Sequence, residues 1–126
     1  MRARGLPTTG LACRVDDAVA SGKEAATVLL EHTRPTAFVC ASDTQAMGVL
    51  HALAERGLRP GAELAVVGFD DSQVAQVVPG GLTSVRQPLE DVAVEVVRAL
   101  AGLLSHPPQV GPGVLLRPRL AIRGSS

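Results

Sequence analysis

Arg34-Pro35-Thr36-Ala37-Phe38-Val39-Cys40-Ala41-Ser42-Asp43 is the stretch whose reading decides the fold of this 126-residue chain. Arg34-Pro35 stops whatever precedes it. Thr36 to Ala41 is almost wholly apolar and of strand length, the pattern of a strand buried on both faces of a parallel, covered sheet. Ser42 stands three residues before Gln45, a capping box in which a hydroxyl accepts a first-turn amide. A helix therefore starts there and runs to about Arg56. Ala46, Met47, Val49, Leu50 and Leu53 form its apolar stripe, and Gly57 suits the left-handed position just past its end. Leu64-Ala65-Val66-Val67-Gly68-Phe69 then repeats the buried-strand signature and runs out on Asp70-Asp71. Strand, helix and strand within about 35 residues make a βαβ unit, so the chain is α/β.

Working outward, Ser21 and Glu24 form a second capping-box pattern, which predicts a helix from about Gly22 to His32 with Ala26, Leu29 and Leu30 facing inward. Before Asp17 no period is sustained, because Gly5, Pro7, Thr8, Thr9 and Gly10 interrupt it. On the other side Pro79-Gly80-Gly81 mark a loop, and Thr83 to Arg86 is a brief strand candidate. Pro88 suits the first position of a long helix, with Glu90 and Asp91 complementing its dipole. Leu89, Val92, Ala93, Val96, Val97, Leu100, Leu103 and Leu104 recur at spacings of three and four, and His106-Pro107-Pro108 ends the run. Val114-Leu115-Leu116 and Leu120-Ala121-Ile122 read as one strand interrupted by Pro118 or as two short pieces.

Composition narrows the function. The apolar content of 46% is enough for a core, and the 12 basic residues balance the 12 acidic ones, so the chain has no basic excess with which to meet nucleic-acid phosphates. No apolar run approaches the ~20 residues of a membrane span, and Met1-Arg2-Ala3-Arg4 does not lead into a signal-peptide core, so a soluble cytoplasmic protein is expected. Phe38 and Phe69 are the only aromatic residues, too few for a stacking platform, which leaves polar groups to hold any ligand. Cys13 and Cys40 are read as reduced thiols, and His32, His51 and His106 show no metal-ligand spacing.

In an open α/β sheet, ligands bind beyond the carboxyl ends of the strands. Ser42-Asp43 and Asp70-Asp71 stand at two such ends, where one hydroxyl and up to three carboxylates can accept hydrogen bonds from ligand hydroxyls or amines. The plainer readings are an N-cap for Ser42, a first-turn acid for Asp43 and a turn for Asp70-Asp71. Clustered carboxylates also suit magnesium, and a doubly wound enzyme using Asp43, Asp70 and Asp71 is the alternative. Lys23 is the only lysine, no Gly-rich phosphate loop is present, and no nucleophile triad can be assembled, so a binding module is preferred to an enzyme.

The motifs from Arg34 to Asp43, Gly48 through Leu53 to Gly57, Val66 to Asp71, Leu82 to Pro88 and Leu120 to Ser126 resemble, in this order, the effector-binding domain of LacI/GalR-type bacterial transcriptional regulators. The resemblance runs from about Ser21 to the last residue. It implies a type I periplasmic-binding-protein-like fold, a three-layer α/β/α arrangement on a parallel sheet, of which residues 1–126 are the C-terminal portion. Residues 21–82 and 113–126 would belong to the C-terminal subdomain, and 83–105 would cross into a first subdomain not contained here. Asp70 matches the acid that binds ligand hydroxyls or ring nitrogens. Ser42 occupies a position where relatives carry a ligand-reaching Asn, Leu89 one where they place an apolar or aromatic wall, and Asp43 and Asp71 match motif acids. Arg2 is the nearest match to an Arg that clamps the ligand.

The resemblance further implies a sugar, polyol or nucleoside-like effector, no cofactor or metal, and dimerisation through Met47, Leu50, His51 and Val78. DNA contact would come only through a helix-turn-helix domain absent from this chain. A secreted solute-binding protein of the same fold is a further alternative, disfavoured by the missing signal peptide. The apolar helix from Pro88 to Ser105 would lack the sheet it normally covers, so self-association of the isolated chain is expected.

Overall fold

The computed structural model describes residues 10–105 and 113–126, so the readings of Arg2 and of His106-Pro107-Pro108 lie outside the described residues. The elements are α1 (Val19–His32), β1 (Ala37–Val39), α2 (Asp43–Glu55), β2 (Ala65–Phe69), α3 (Gln73–Val77), β3 (Thr83–Arg86), α4 (Leu89–Ser105) and β4 (Arg119–Ala121). The four strands form one sheet in the order β1-β2-β3-β4. β1, β2 and β3 are parallel, with Phe38 opposite Val66 and Gly68 opposite Ser84. β4 joins β3 antiparallel, with Arg119 opposite Arg86, so the expected parallel sheet closes on one antiparallel strand.

α2 begins as expected, with the Ser42 hydroxyl accepting the Gln45 N–H at 3.1 Å. The return half of the box differs: Gln45 Oε1 accepts the Ala41 N–H at 3.3 Å. At the other end Gly57 takes a φ of 68°, which lets the Leu58 N–H reach back to the Leu53 carbonyl at 3.0 Å and satisfies an otherwise orphaned acceptor. α1 departs from the reading. It starts at Val19 with Ala18 as its cap, and the Gly22 N–H already bonds the Ala18 carbonyl at 3.0 Å. Ser21 is therefore inside the helix, and the Ser21/Glu24 capping box does not form. The short α3 lay unread between Asp71 and Pro79, because five residues carry too little period to detect.

α1 and α2 touch backbone to backbone. A Cβ on Gly48 would stand 2.1 Å from the Val19 carbonyl oxygen, and one on Gly22 would stand 2.3 Å from that of Gln45. Beside this contact lies a core of small and medium side chains: Ala26, Phe38, Ala46, Val49, Ala52, Leu53, Leu64, Val66, Ala75 and Leu82. The helices cover one face of the sheet. On β2 only alternate residues, Val66 and Gly68, are buried, and on the edge strand β1 Val39 is 82% exposed. Burial on both faces, expected from the apolar runs, is thus not reached here, because the second helical layer is not in place. α4 keeps its apolar stripe exposed from Leu89 to Leu104. No described helix is long and apolar enough to cross a membrane.

The glycine contact between α1 and α2 makes a sharp prediction. Gly48→Ala drives a methyl group into fixed backbone and is expected to destabilise the chain by about 3 kcal/mol, the upper range for overpacking. Gly102→Ala, where an added Cβ meets nothing within 4 Å, should instead stabilise by roughly 0.5–1 kcal/mol through helix propensity. Urea unfolding midpoints of the two variants decide between close packing and a generic intolerance of alanine.

Candidate ligand-binding site

β1, β2 and β3 all run out at the same end of the sheet, and polar residues follow each of them: Ser42-Asp43, Asp70-Asp71 and Gln87. The turn after β2 carries backbone strain. Asp70 has a φ of 98° and Asp71 a φ of 50°, two consecutive non-glycine residues in the left-handed region. Asp tolerates that region better than most residues, but each instance still costs about 1–3 kcal/mol. Hydrogen bonds from three successive backbone N–H groups hold the turn. The Asp70 N–H donates to the Val85 carbonyl at 2.9 Å, the Asp71 N–H to Ser84 Oγ at 3.0 Å, and the Ser72 N–H to Asp43 Oδ2 at 2.7 Å.

Asp43 is the hub of that network. Its side chain is buried, yet Oδ2 also accepts the Ser72 hydroxyl at 2.8 Å and Oδ1 accepts the Ser84 hydroxyl at 2.6 Å. Such charge-assisted bonds offset the removal of the carboxylate from water. Gly68 provides the room, since a Cβ there would lie 2.2 Å from Asp43 Oδ1. Asp71 is also turned inward. Arg123 Nη2 stands 2.6 Å from its Oδ1, and Arg86 donates to Oδ2 from the other side. Burial pushes the Asp71 carboxyl up, but the hydrogen bonds and charges of Arg123 and Arg86 together outweigh it and hold the group below the usual carboxylate range. Arg123 Nη1 donates as well to the Leu82 carbonyl at 2.6 Å, which ties the C-terminal segment to β3.

Ser42 is buried, and both functions of its hydroxyl are taken: it accepts the Gln45 N–H and donates to Asp17. Asp70 alone of the four motif residues faces outward. Its Oδ1 accepts the Gln87 side-chain amide at 2.7 Å, and its Oδ2 has no protein donor among the described residues. Leu89 follows close by in sequence and is 62% exposed, so it does not pack in the core of this chain.

The geometry corrects the expected crevice. Ser42 and Asp43 are turned into the protein, and capping α2 and bracing the turn engage each of their side-chain oxygens. The magnesium arrangement of Asp43, Asp70 and Asp71 is not assembled either. Two of the three carboxylates are held by hydroxyls, amides and guanidinium groups, and no group of three ligand-type side chains with metal spacing occurs among the described residues. Gln87, Ser84, Arg86 and Arg123 are the partners that reading the sequence left without a role. A signal for Gln87 was available, since a third parallel strand ending beside the second must deliver its own following residues to the same place. Of the four proposed contact residues, Met47 is half-buried and His51 exposed on α2, while Leu50 and Val78 lean on the core.

Two other features lie apart from this turn. A mostly apolar cavity of about 580 Å³ opens between α1 and the β1 edge, with Leu11, Cys13, Ala25, Leu29, Phe38 and Cys40 in its wall and none of Asp70, Asp71 or Gln87. Burial, and then the nearby charge of Asp43, push the Cys40 thiol up to about 11, so it stays protonated and unreactive at neutral pH.

A family model described as periplasmic binding protein-like domain matches residues 1–126. The chain belongs to this family. It is 42% identical over 108 residues to an uncharacterised HTH-type transcriptional regulator in the aml 5′ region of Streptomyces limosus, a match covering 86% of this chain and 30% of that protein. Among solved structures it is similar to a regulatory protein of the LacI family from Chloroflexus aggregans, with a TM-score of 0.89 and 34% identity over 99% of this chain and 46% of the other. It is also similar to the transcriptional regulator CelR in complex with cellobiose, with a TM-score of 0.86 and 30% identity over 99% of this chain and 39% of the other. These relatives are transcriptional regulators rather than enzymes, and the chain spans about 30% of the length of the curated relative. The periplasmic binding protein-like domain thus accounts for the mostly parallel open sheet.

The ion pairs of this domain predict an acid dependence. A carboxyl whose folded-state pKa is lowered contributes stability above its unfolded value, near 3.9, and loses it as pH falls from there through the folded value. Asp71→Asn should therefore unfold at a lower urea concentration than the native chain at pH 7. The gap between the two should narrow once the pH drops below about 4. A gap that stays constant from pH 7 to pH 3 would show that the Arg86 and Arg123 contacts contribute nothing through charge.

Proposed function

We propose that the chain is the C-terminal part of the effector domain of a LacI-type transcriptional regulator, and that Asp70 accepts hydrogen bonds from a small polyhydroxylated effector, a sugar or related polyol. The observation that carries this reading is the outward carboxylate of Asp70, held in a left-handed backbone conformation while its neighbour Asp71 is locked inside. Strain of that kind persists where the surrounding network over-determines it, and such sites are often functional. The likeness to a regulator whose structure was solved as a complex with cellobiose supports the ligand class. Leu89 would form an apolar wall of the same site. Ser42 and Asp43 serve it from behind, as cap and brace.

The remaining assignments rest on the same reading. With its charges balanced, this chain meets DNA only through a helix-turn-helix domain elsewhere in the regulator, and the whole works in the cytoplasm. The exposed stripe of α4 suits a segment, 83–105, that crosses to another subdomain. Met47, Leu50, His51 and Val78 form a contact with a second copy, extended by Val74 and Val77, which are 43% and 78% exposed on the neighbouring α3.

Calorimetric titration of the intact regulator with a panel of mono- and disaccharides tests the site. The variant of choice is Asp70→Gly, which removes the carboxylate and relieves the φ of 98° at once. Folding stability should stay within about 1 kcal/mol of the native value, since relief of strain and added chain entropy roughly offset each other. Effector affinity should fall about 10- to 100-fold, the loss of one hydrogen bond to a charged group. Unchanged affinity would remove Asp70 from the site.

A further inference from the structure

α4, with 17 residues, is the longest of the described elements and has no buried residue. Leu89, Val96, Val97, Leu100 and Leu104 are each more than half exposed, and Ala93 is exposed among them. At 3.6 residues per turn these six side chains fall within an arc of about 100°. No charged residue lies in that arc, because Glu95 and Arg98 pair with each other on the opposite side of the helix. Val114 and Leu116 flank the stripe across a shallow groove, and Leu115 between them is 94% exposed. Most of the stability of a helix comes from burying such a face, so the stripe calls for a cover. The size of that cover can be gauged. The chain exposes 9157 Å², whereas a compact monomer of 13.0 kDa exposes about 6,300 Å². The excess is well above the roughly 800 Å² that each partner loses in a standard interface and reaches the range of obligate ones.

The spacing of the stripe names the occupant. Taken from its two ends inward, the six positions form pairs: Leu89 with Leu104, Ala93 with Leu100, and Val96 with Val97. All three pairs share one centre, the peptide bond between Val96 and Val97, so the stripe reads the same in both directions. Laid antiparallel on a second copy of itself, each apolar residue meets an apolar residue and no charge is buried. Such self-complementarity is what an isologous interface requires. We propose that α4 is the contact through which two copies of this chain form a closed dimer, the helices antiparallel and the two-fold axis passing between Val96 and Val97. Val114 to Leu116 extend the patch on the side of the groove. The inference does not depend on the reading of Asp70 or on the contact at Met47 and His51, and it concerns the 126-residue chain by itself. In an intact regulator, a further subdomain that covers α4 competes with the second copy for the same face.

Sedimentation equilibrium of the 126-residue chain tests the proposal. A dimer mass is expected at about 10 μM, and it should persist in about 0.5 M salt because no ion pair crosses the contact. Val96→Lys places a charge from each copy at the axis and should weaken association about 100-fold or more. Val77→Lys puts the same charge on the exposed face of α3 and should leave the dimer as it is. Orientation is read from disulfides formed with oxidised glutathione in a Cys13→Ser background. When chains carrying Leu89→Cys are mixed with chains carrying Leu104→Cys, the antiparallel pair should give the mixed 89–104 disulfide in preference to 89–89 or 104–104. A monomer at about 100 μM overturns the proposal, as does native association in Val96→Lys or loss of the dimer in Val77→Lys. A mass that climbs past the dimer with concentration overturns the closed two-fold, and disulfides between like positions overturn the antiparallel arrangement.

Discussion

The arrangement at the carboxyl end of the sheet depends on one buried carboxylate. Asp43 opens α2, and its two oxygens reach the serine after the strained turn and the serine on β3. A helix N-terminus, a loop and a central strand are thereby fixed to one another through a single side chain. In a low-dielectric surrounding each of these bonds is strong, and each would be expensive to leave unmade. The arrangement is possible only because position 68 carries no side chain, which leaves the space that Asp43 Oδ1 occupies.

The consequence is a turn that holds two aspartates in backbone conformations neither would choose. Asp71 is drawn inward by Arg86 and Arg123, and Asp70 is thereby directed outward. Two adjacent acids of the same type thus have different work. One binds the C-terminal segment to the sheet, and the other presents an acceptor to solvent. Their difference comes from their partners, not from their chemistry.

Much of the fold was legible in the residues. The apolar run before Ser42, the cap of α2, Gly57 at its end and the strand leading to Asp70 all appear where periodicity and turn chemistry put them, because each is decided by neighbours within a few positions. The motif resemblance also placed the chain in its family. The misreadings share a cause. Ser21 matched a capping pattern but lies inside α1, whose start is set by the contact of Val19 and Gly22 with α2. The apolar content of β1 implied cover on both faces, and only one face has a helical layer in this chain.

The candidate site was legible in its residue types and not in their roles. Sequence by itself determined that Ser, Asp and paired Asp residues follow buried strands, that the chain is α/β and that it carries no charge excess for nucleic acid. It also determined which positions lack a Cβ, although not why. Tertiary structure alone decided that Asp43 braces the turn, that Asp71 is clamped between two arginines, and that Gln87 holds Asp70. The reason is distance along the chain. Asp43 and Ser84 are 41 positions apart, and so the meaning of each depends on which strands lie side by side. Local periodicity carries no record of that pairing.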